Sequence, residues 1–250
     1  MSGHSKWHNI RLKKGKMDAE RGARFTKLAR EIIVAAKGGG GNPDNNLRLR
    51  LAIQKARDNS MPADKIKNAV QRGTGEIDGA NYEELVYEGY GPAGVAVLVN
   101  CATDNRNRTV ADIRNIFNKN GGRLGESGSV AWMFNAPQGL ITVSTDVTDE
   151  DTLISLALEA GAEDVKQSDE VFEVFTDRNE MPTVVEALNT GGIKVMSSEV
   201  TMVPNNIVKL EAKDAALTLR LLDLLEDHDD VQSVHANFDI PDDVLEAISK

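Results

Sequence analysis

The amino-acid sequence predicts an α+β chain: an N-terminal three-helix basic bundle followed by two ferredoxin-like α/β domains, one inserted in the other. Three observations carry this expectation. Apolar residues recur at helical spacing over about the first 75 residues and switch to alternation after about residue 80. A β-α-β-β-α-β order, the split motif of ferredoxin-like folds, occupies about 138–203 and sits between two further α/β stretches. Charge is also divided: residues 1–75 carry seventeen Lys/Arg against six Asp/Glu, a net +11, although the 250-residue chain carries −10, which leaves −21 for the rest. The expected domains are 1–78, then 79–136 together with 205–240, with 137–204 as the insert.

Each element has a local reason. Between residues 17 and 37, Phe25, Leu28, Ala29, Ile32, Ile33 and Ala36 form an amphipathic stripe, with Arg24, Lys27, Arg30 and Lys37 on the opposite face. Gly38-Gly39-Gly40-Gly41 ends that helix, and Asn42-Pro43 reads as the N-cap and first position of a second. The second helix places Leu49, Ala52, Ile53 and Ala56 on one face, with Arg48 and Lys55 on one flank and Arg50 and Arg57 on the other. Pro62 opens a third helix, with Ala63, Ile66 and Val70 inward and Gly73 at its end. Strands are then expected over 82–90 and 94–102, a helix over 105–120, and a strand over 130–134. A closing strand, helix and strand are expected over 207–211, 215–225 and 231–238. Pro137 and Pro204 punctuate the edges of the insert as hinges.

Composition narrows the class. Cys101 is the single cysteine, so no intramolecular disulfide forms, and alternation puts it on the Val95/Val97/Val99 face of a strand, which reads as buried and inert, a catalytic thiol being the alternative. The N-terminus has no apolar signal core, and no apolar run approaches the roughly 18 residues of a membrane span. The expectation is a soluble cytoplasmic protein with no membrane partner.

A basic head on an acidic body reads as a phosphate-seeking module, with nucleic acid the expected target. Lys6, Trp7, His8, Arg11, Lys13, Lys14 and Lys16 form the leading candidate cluster, since each cation that neutralises a phosphate releases counterions. Trp7 either stacks on an unpaired base or packs on the bundle. Arg24, Lys27, Arg30, Arg48, Arg50, Lys55 and Arg57 extend the candidate surface along the helices. Asp104-Asn105-Arg106-Asn107-Arg108-Thr109 lies where a strand hands over to a helix. Arg106 and Arg108 there either hold a phosphate or accompany plain capping chemistry. His4 and His8 have helical ligand spacing but lack a third ligand, and His228 lies in a charged turn, so no metal is expected. The glycine run through Gly121, Gly122, Gly125 and Gly128 matches neither phosphate-loop nor dinucleotide spacing and reads as a turn feeding a strand. No nucleophile, acid/base pair or cofactor fingerprint stands out, so neither catalysis nor a cofactor is expected.

Four strings carry a resemblance: Met1 to Ile10 with Lys13-Lys14-Gly15-Lys16; Tyr87-Glu88-Gly89-Tyr90-Gly91-Pro92; Thr103 to Asp112; and Gly121-Gly122 through Gly128-Ser129-Val130-Ala131-Trp132-Met133-Phe134. They closely resemble the YebC/PmpR family. That resemblance implies a helical domain followed by two α/β domains, one set into the other. It implies a DNA-binding transcriptional regulator, in a family that also includes a mitochondrial translational activator and bacterial members that relieve ribosome stalling. Two partner classes therefore stay open, duplex DNA and ribosomal RNA on the ribosome. A third reading is a scaffold whose acidic α/β domains bind protein partners.

Overall fold

Helix α1 (Arg21–Gly39) buries Leu28, Ile32, Ile33 and Ala36 in one cluster with Leu49, Ala52 and Ala56 of α2 (Leu47–Asp58) and Ile66 and Ala69 of α3 (Ala63–Gly73). The structure, a computed structural model, describes residues 21–168, 170–241 and 244. Where α1 stops, Gly40 takes φ +84°, a left-handed conformation that glycine adopts without a Cβ clash. At Gly73 a Cβ would lie 2.5 Å from the Ile33 carbonyl oxygen and 2.6 Å from the Ala36 Cβ, so the close approach of α1 and α3 requires glycine.

The second helix begins later than Asn42-Pro43 suggests, because Asn46 is the better cap. Its Oδ1 accepts from the Leu49 N–H at 3.1 Å, while its Nδ2 donates to the carbonyls of Ala35 and Gly40, both at 2.8 Å. One side chain thus caps α2 and ties the connecting loop to α1. Asn42 instead accepts from the Asp44 N–H at 2.9 Å, closing a local turn before the helix.

Strands β1 (Glu83–Tyr90) and β2 (Ala96–Thr103) form an antiparallel pair joined through Pro92–Gly94. After α4 (Arg106–Lys119), the short β3 (Arg123–Leu124) adds to β1. Late in the chain come β8 (Val208–Lys209), α7 (Ala212–Asp227), β9 (Val231–Ala236) and β10 (Phe238–Asp239). Strand β9 joins β2, giving the sheet order β3-β1-β2-β9, and β8 with β10 make a separate parallel pair. Val95, Val97, Val99 and Cys101 form one core with Ile113 and Phe117 of α4 and Leu221, Leu222 and Leu225 of α7. Burial pushes the Cys101 thiol up to about 12, so it stays protonated near neutral pH.

Two strand expectations need correction. Residues 130–134 are not a strand, since Ala131–Met133 forms a short 3₁₀ turn. The backbone N–H groups of Gly128, Val130 and Ala131 all point to the Glu88 carboxylate, which removes them from any ladder. The glycine run supplies the strand instead, at β3. The strand expected over 207–211 shortens to the two residues of β8.

A second compact unit spans 134–205. It contains β4 (Gln138–Ser144), α5 (Glu150–Glu159), β5 (Ala162–Ser168), β6 (Val171–Asp177), α6 (Met181–Thr190) and β7 (Val195–Thr201). The sheet order β5-β6-β4-β7 with antiparallel pairing is that of a ferredoxin-like βαββαβ unit. Ile141, Val143, Phe172 and Val174 of the sheet, with Leu153, Ala157, Val184 and Leu188 of the helices, are buried. Its two ends run side by side, through a Phe134–Pro204 bridge and an Asn135 N–H donated to the Val203 carbonyl at 2.8 Å. The β1–β3/β9 sheet repeats this order, with β1 in the position that a βαββαβ chain gives to its third strand.

Candidate nucleic-acid interface

The cations of the helical bundle separate into two sets. Along α1, Lys27 donates to the Glu226 carbonyl, and Arg30 donates to the Asp229 carbonyl and, at 2.8 Å, to the Asp230 carboxylate. Arg30 also lies over the Tyr82 ring at 5.2 Å, and Lys37 donates to the Tyr82 carbonyl at 3.1 Å. Amphipathic spacing alone assigns this face to solvent. The structure turns it onto the start of β1 and the α7–β9 turn.

Asp230 is the hub of that contact. Its carboxylate meets Arg30, accepts from Arg108 at 3.0 Å, and has the Thr109 and Thr103 hydroxyls at 2.7 and 3.2 Å. Burial pushes this carboxyl up, but the Thr109 and Arg108 hydrogen bonds and the charges of Arg30 and Arg108 outweigh it and hold the group below the ordinary aspartate value. Arg108 pairs with Asp104 as well, at 2.9 Å. Asn105 caps α4 by accepting from the Arg108 N–H at 3.1 Å, and the Thr103 hydroxyl accepts from the Asn105 N–H at 2.9 Å. The handover segment is therefore a cap and a docking point, and of its two arginines Arg108 is ion-paired whereas Arg106 enters no ion pair among the described residues.

The second set faces outward. Arg50 and Arg57, one face of α2 at i, i+7, are exposed and enter no ion pair among the described residues. Arg48 pairs with Glu84 and Lys55 with Glu31 at 3.0 Å, with both cations about half exposed. Exposed pairs of this kind are worth only ~0–1 kcal/mol and exchange partners readily. On α3, Lys67 and Arg72 are exposed and Lys65 lies over the Phe25 ring at 5.3 Å. The apolar face of the third helix alone does not point to these three, although the charges at 65, 67 and 72 are plain in the sequence. Arg24 is half-buried. Lys6, Trp7, His8, Arg11, Lys13, Lys14 and Lys16, with His4, lie outside the described residues.

Among the described residues no group of three His, Cys, Asp or Glu side chains is placed to hold a metal ion, and no helix is long and apolar enough to cross a membrane.

Comparison with known proteins covers nearly the whole chain. Residues 5–76 match the family model described as the TACO1/YebC protein N-terminal domain, and residues 82–238 match that of the TACO1/YebC second and third domain. A protein of Dictyoglomus turgidum named "Probable transcriptional regulatory protein" is 54% identical over 249 residues, covering 100% of both chains. A Geobacter sulfurreducens protein of the same description is 54% identical, covering 99% of this chain and 100% of its own. The crystal structure of a conserved hypothetical protein from Aquifex aeolicus superposes with a TM-score of 0.81 at 44% identity, over 91% of this chain and 93% of that one. On this agreement of both family models, full-length relatives and fold, the chain belongs to the TACO1/YebC family.

Proposed function

We propose that the chain is a non-enzymatic, cytoplasmic regulator of gene expression that binds nucleic acid by its phosphates. The basic N-terminal stretch and the outer faces of α2 and α3 form the contact surface. The observation that carries this reading is the sorting of cations: those of α1 are engaged by the protein's own body, whereas Arg50, Arg57, Lys67 and Arg72 stand in solvent. Residues beyond 75 carry a net −21, which repels phosphate and confines nucleic acid to the head. The name the relatives carry, probable transcriptional regulatory protein, supports duplex DNA as the target.

A second reading, translational control through structured RNA, draws on one feature of α2. Reading bases in a major groove needs free amide or guanidinium groups at neighbouring positions of one helix. Between Arg50 and Arg57 the amide on offer, Gln54, donates to Asp58 at 2.8 Å. A face of cations around an engaged amide suits phosphates and shape better than base edges. Co-sedimentation with ribosomes at near-physiological salt, with excess competitor duplex DNA, separates the two readings. Protein that pellets despite the DNA supports the RNA reading, and protein drawn off onto the DNA supports the transcriptional one. Protein that binds neither contradicts both.

A further inference from the structure

Free amide and guanidinium groups at neighbouring positions, which α2 lacks, are present on α4. The inner face of α4 is fully buried at Thr109, Ile113 and Phe117. On the opposite side Asn107, Ala111, Arg114, Asn115 and Asn118 fall at i, i+4, i+7, i+8 and i+11, the spacing of one helical face. All five are exposed, and no hydrogen bond or ion pair among the described residues engages the four polar side chains.

Among the described residues nothing accounts for that stripe. Asparagine is a poor helix former, because its side chain competes for the backbone, so Glu, Gln, Lys or Ala fills the solvent side of a helix better. The asparagines that flank α4 have structural partners: Asn105 accepts from the Arg108 N–H, and Asn120 donates to the Ile116 carbonyl at 2.7 Å. Asn107, Asn115 and Asn118 have no such bond. Charge points the same way. The 14 residues of α4 hold four cations, Arg106, Arg108, Arg114 and Lys119, against one carboxylate, Asp112. That is 4 − 1 = +3 within a body that carries −21. Asp112 lies on a flank, with the His228 Nε2 at 3.5 Å, and Arg108 is drawn to Asp230, which leaves Arg114 as the guanidinium of the stripe. The same Asp230 carboxylate holds Arg30, so the start of α4 is fixed beside α1 of the bundle.

We propose that α4 is a base-reading helix for the major groove of duplex DNA, with Arg114, Asn115 and Asn118 against base edges. Arginine pairs in bidentate fashion with guanine and asparagine with adenine, and the Ala111 methyl suits the methyl group of thymine. A 14-residue helix is about 21 Å long, enough to follow a groove about 12 Å wide past several base pairs. A protein partner would call for large apolar side chains at the centre of the face, where Ala111 stands instead. Phosphate contacts from the bundle position the duplex without specifying it, and α4 supplies the specificity on the same compact unit. This role rests on the phosphate-binding reading above and gives it duplex DNA as the target.

The probe is a pool of duplex DNA randomised over two helical turns between fixed ends. Selection with the full chain should converge on one motif, and a duplex carrying it should bind at least about tenfold more tightly than the unselected pool. Arg114→Lys with Asn115→Ala and Asn118→Ala keeps the charge but removes the fork and the amides. This variant should lose the preference while its affinity for the unselected pool and its melting temperature stay as in wild type. Methylation of guanine N7, which lies in the major groove, should block binding of the selected duplex by the wild-type chain. An RNA duplex of the same sequence should bind no better than a scrambled one, because its A-form major groove is too narrow for side chains. A preference that survives in the variant, or a loss of pool affinity as large as the loss for the motif, overturns the reading role. Binding that tolerates N7 methylation, or an equal preference in RNA, overturns the groove assignment. Pool binding that yields no motif overturns the role of α4 and leaves the phosphate-binding reading standing, whereas no binding of any nucleic acid at low salt removes both.

Discussion

The two cationic faces of the helical bundle are alike in composition and opposite in role. On α1, Lys27 meets a backbone carbonyl in the last turn of α7, Arg30 meets one in the α7–β9 turn and the Asp230 carboxylate, and Arg30 and Asp230 are only 12% and 2% exposed at the side chain. On α2 and α3, Arg50, Arg57, Lys67 and Arg72 are exposed. A buried, hydrogen-bonded arginine is a structural part, because removing it strands a carboxylate away from water. An exposed arginine is held in place by little and can be lent to a phosphate. Charge count alone therefore overstates the surface available to nucleic acid, and burial decides which cations belong to it.

Breaking the inner face should have the largest effect. Arg30→Ala should lower stability by about 3 kcal/mol, since Asp230 keeps Arg108 and Thr109 but loses the more buried of its two arginine partners. Chemical denaturation measures this, and an effect below about 1 kcal/mol would mean the docking contributes little. Reversing the outer face with Arg50→Glu, Arg57→Glu and Lys67→Glu together should weaken duplex binding at low salt about a hundredfold, or ~2.7 kcal/mol, with an unchanged melting temperature. A comparable loss of melting temperature would show that the outer face is structural too.

Acid sharpens the comparison. Burial pushes His235 down to about 4, so it is neutral in the fold, with the Ser233 hydroxyl at 3.2 Å. The unfolded chain takes up its proton near pH 6.5 and the folded chain only near 4, so stability should fall as pH drops through that interval. The slope should be on the order of 1 kcal/mol per pH unit for this one group. Asp230 and Glu88 have depressed values, so their contribution is present above the ordinary carboxylate range and is lost as pH falls through those lowered values. Denaturant midpoints at pH 7, 5.5 and 4.5 isolate the histidine, and midpoints that do not move across that series would contradict its buried neutral state. The smallest effect is expected at Arg48→Ala, within about 0.5 kcal/mol, because its Glu84 partner is as exposed as it is.

The contrast between the faces also marks what the sequence could and could not disclose. Helical spacing was enough for α1, α2 and α3, and the β-α-β-β-α-β order was enough for the 134–205 unit, because both signals are local. The docking of α1 was not legible, since its acceptors at Glu226 and Asp229 lie 199 residues away. The misread strand over 130–134 has the same cause. Val130, Trp132 and Phe134 alternate as a strand would, but Glu88, some forty residues earlier, claims the backbone N–H groups. Asn46 outcompeted Asn42 as a cap through partners in α1, which no reading of residues 42–47 could supply. Of the candidate surface, Arg50 and Arg57 were legible as exposed flanks, whereas Arg30 and Arg108 needed the position of Asp230 to be understood.

The central claim is that phosphate contact belongs to the outer face of the bundle and not to the docked face of α1. It is tested most directly by the salt dependence of duplex DNA affinity in three proteins: wild type, Arg50→Ala with Arg57→Ala, and Lys27→Ala. Each lost phosphate contact should reduce the slope of log K against log salt by ~0.9. The double variant should therefore lose nearly two from the slope while Lys27→Ala matches wild type. A slope unchanged in the double variant, or reduced as much by Lys27→Ala, would contradict the account.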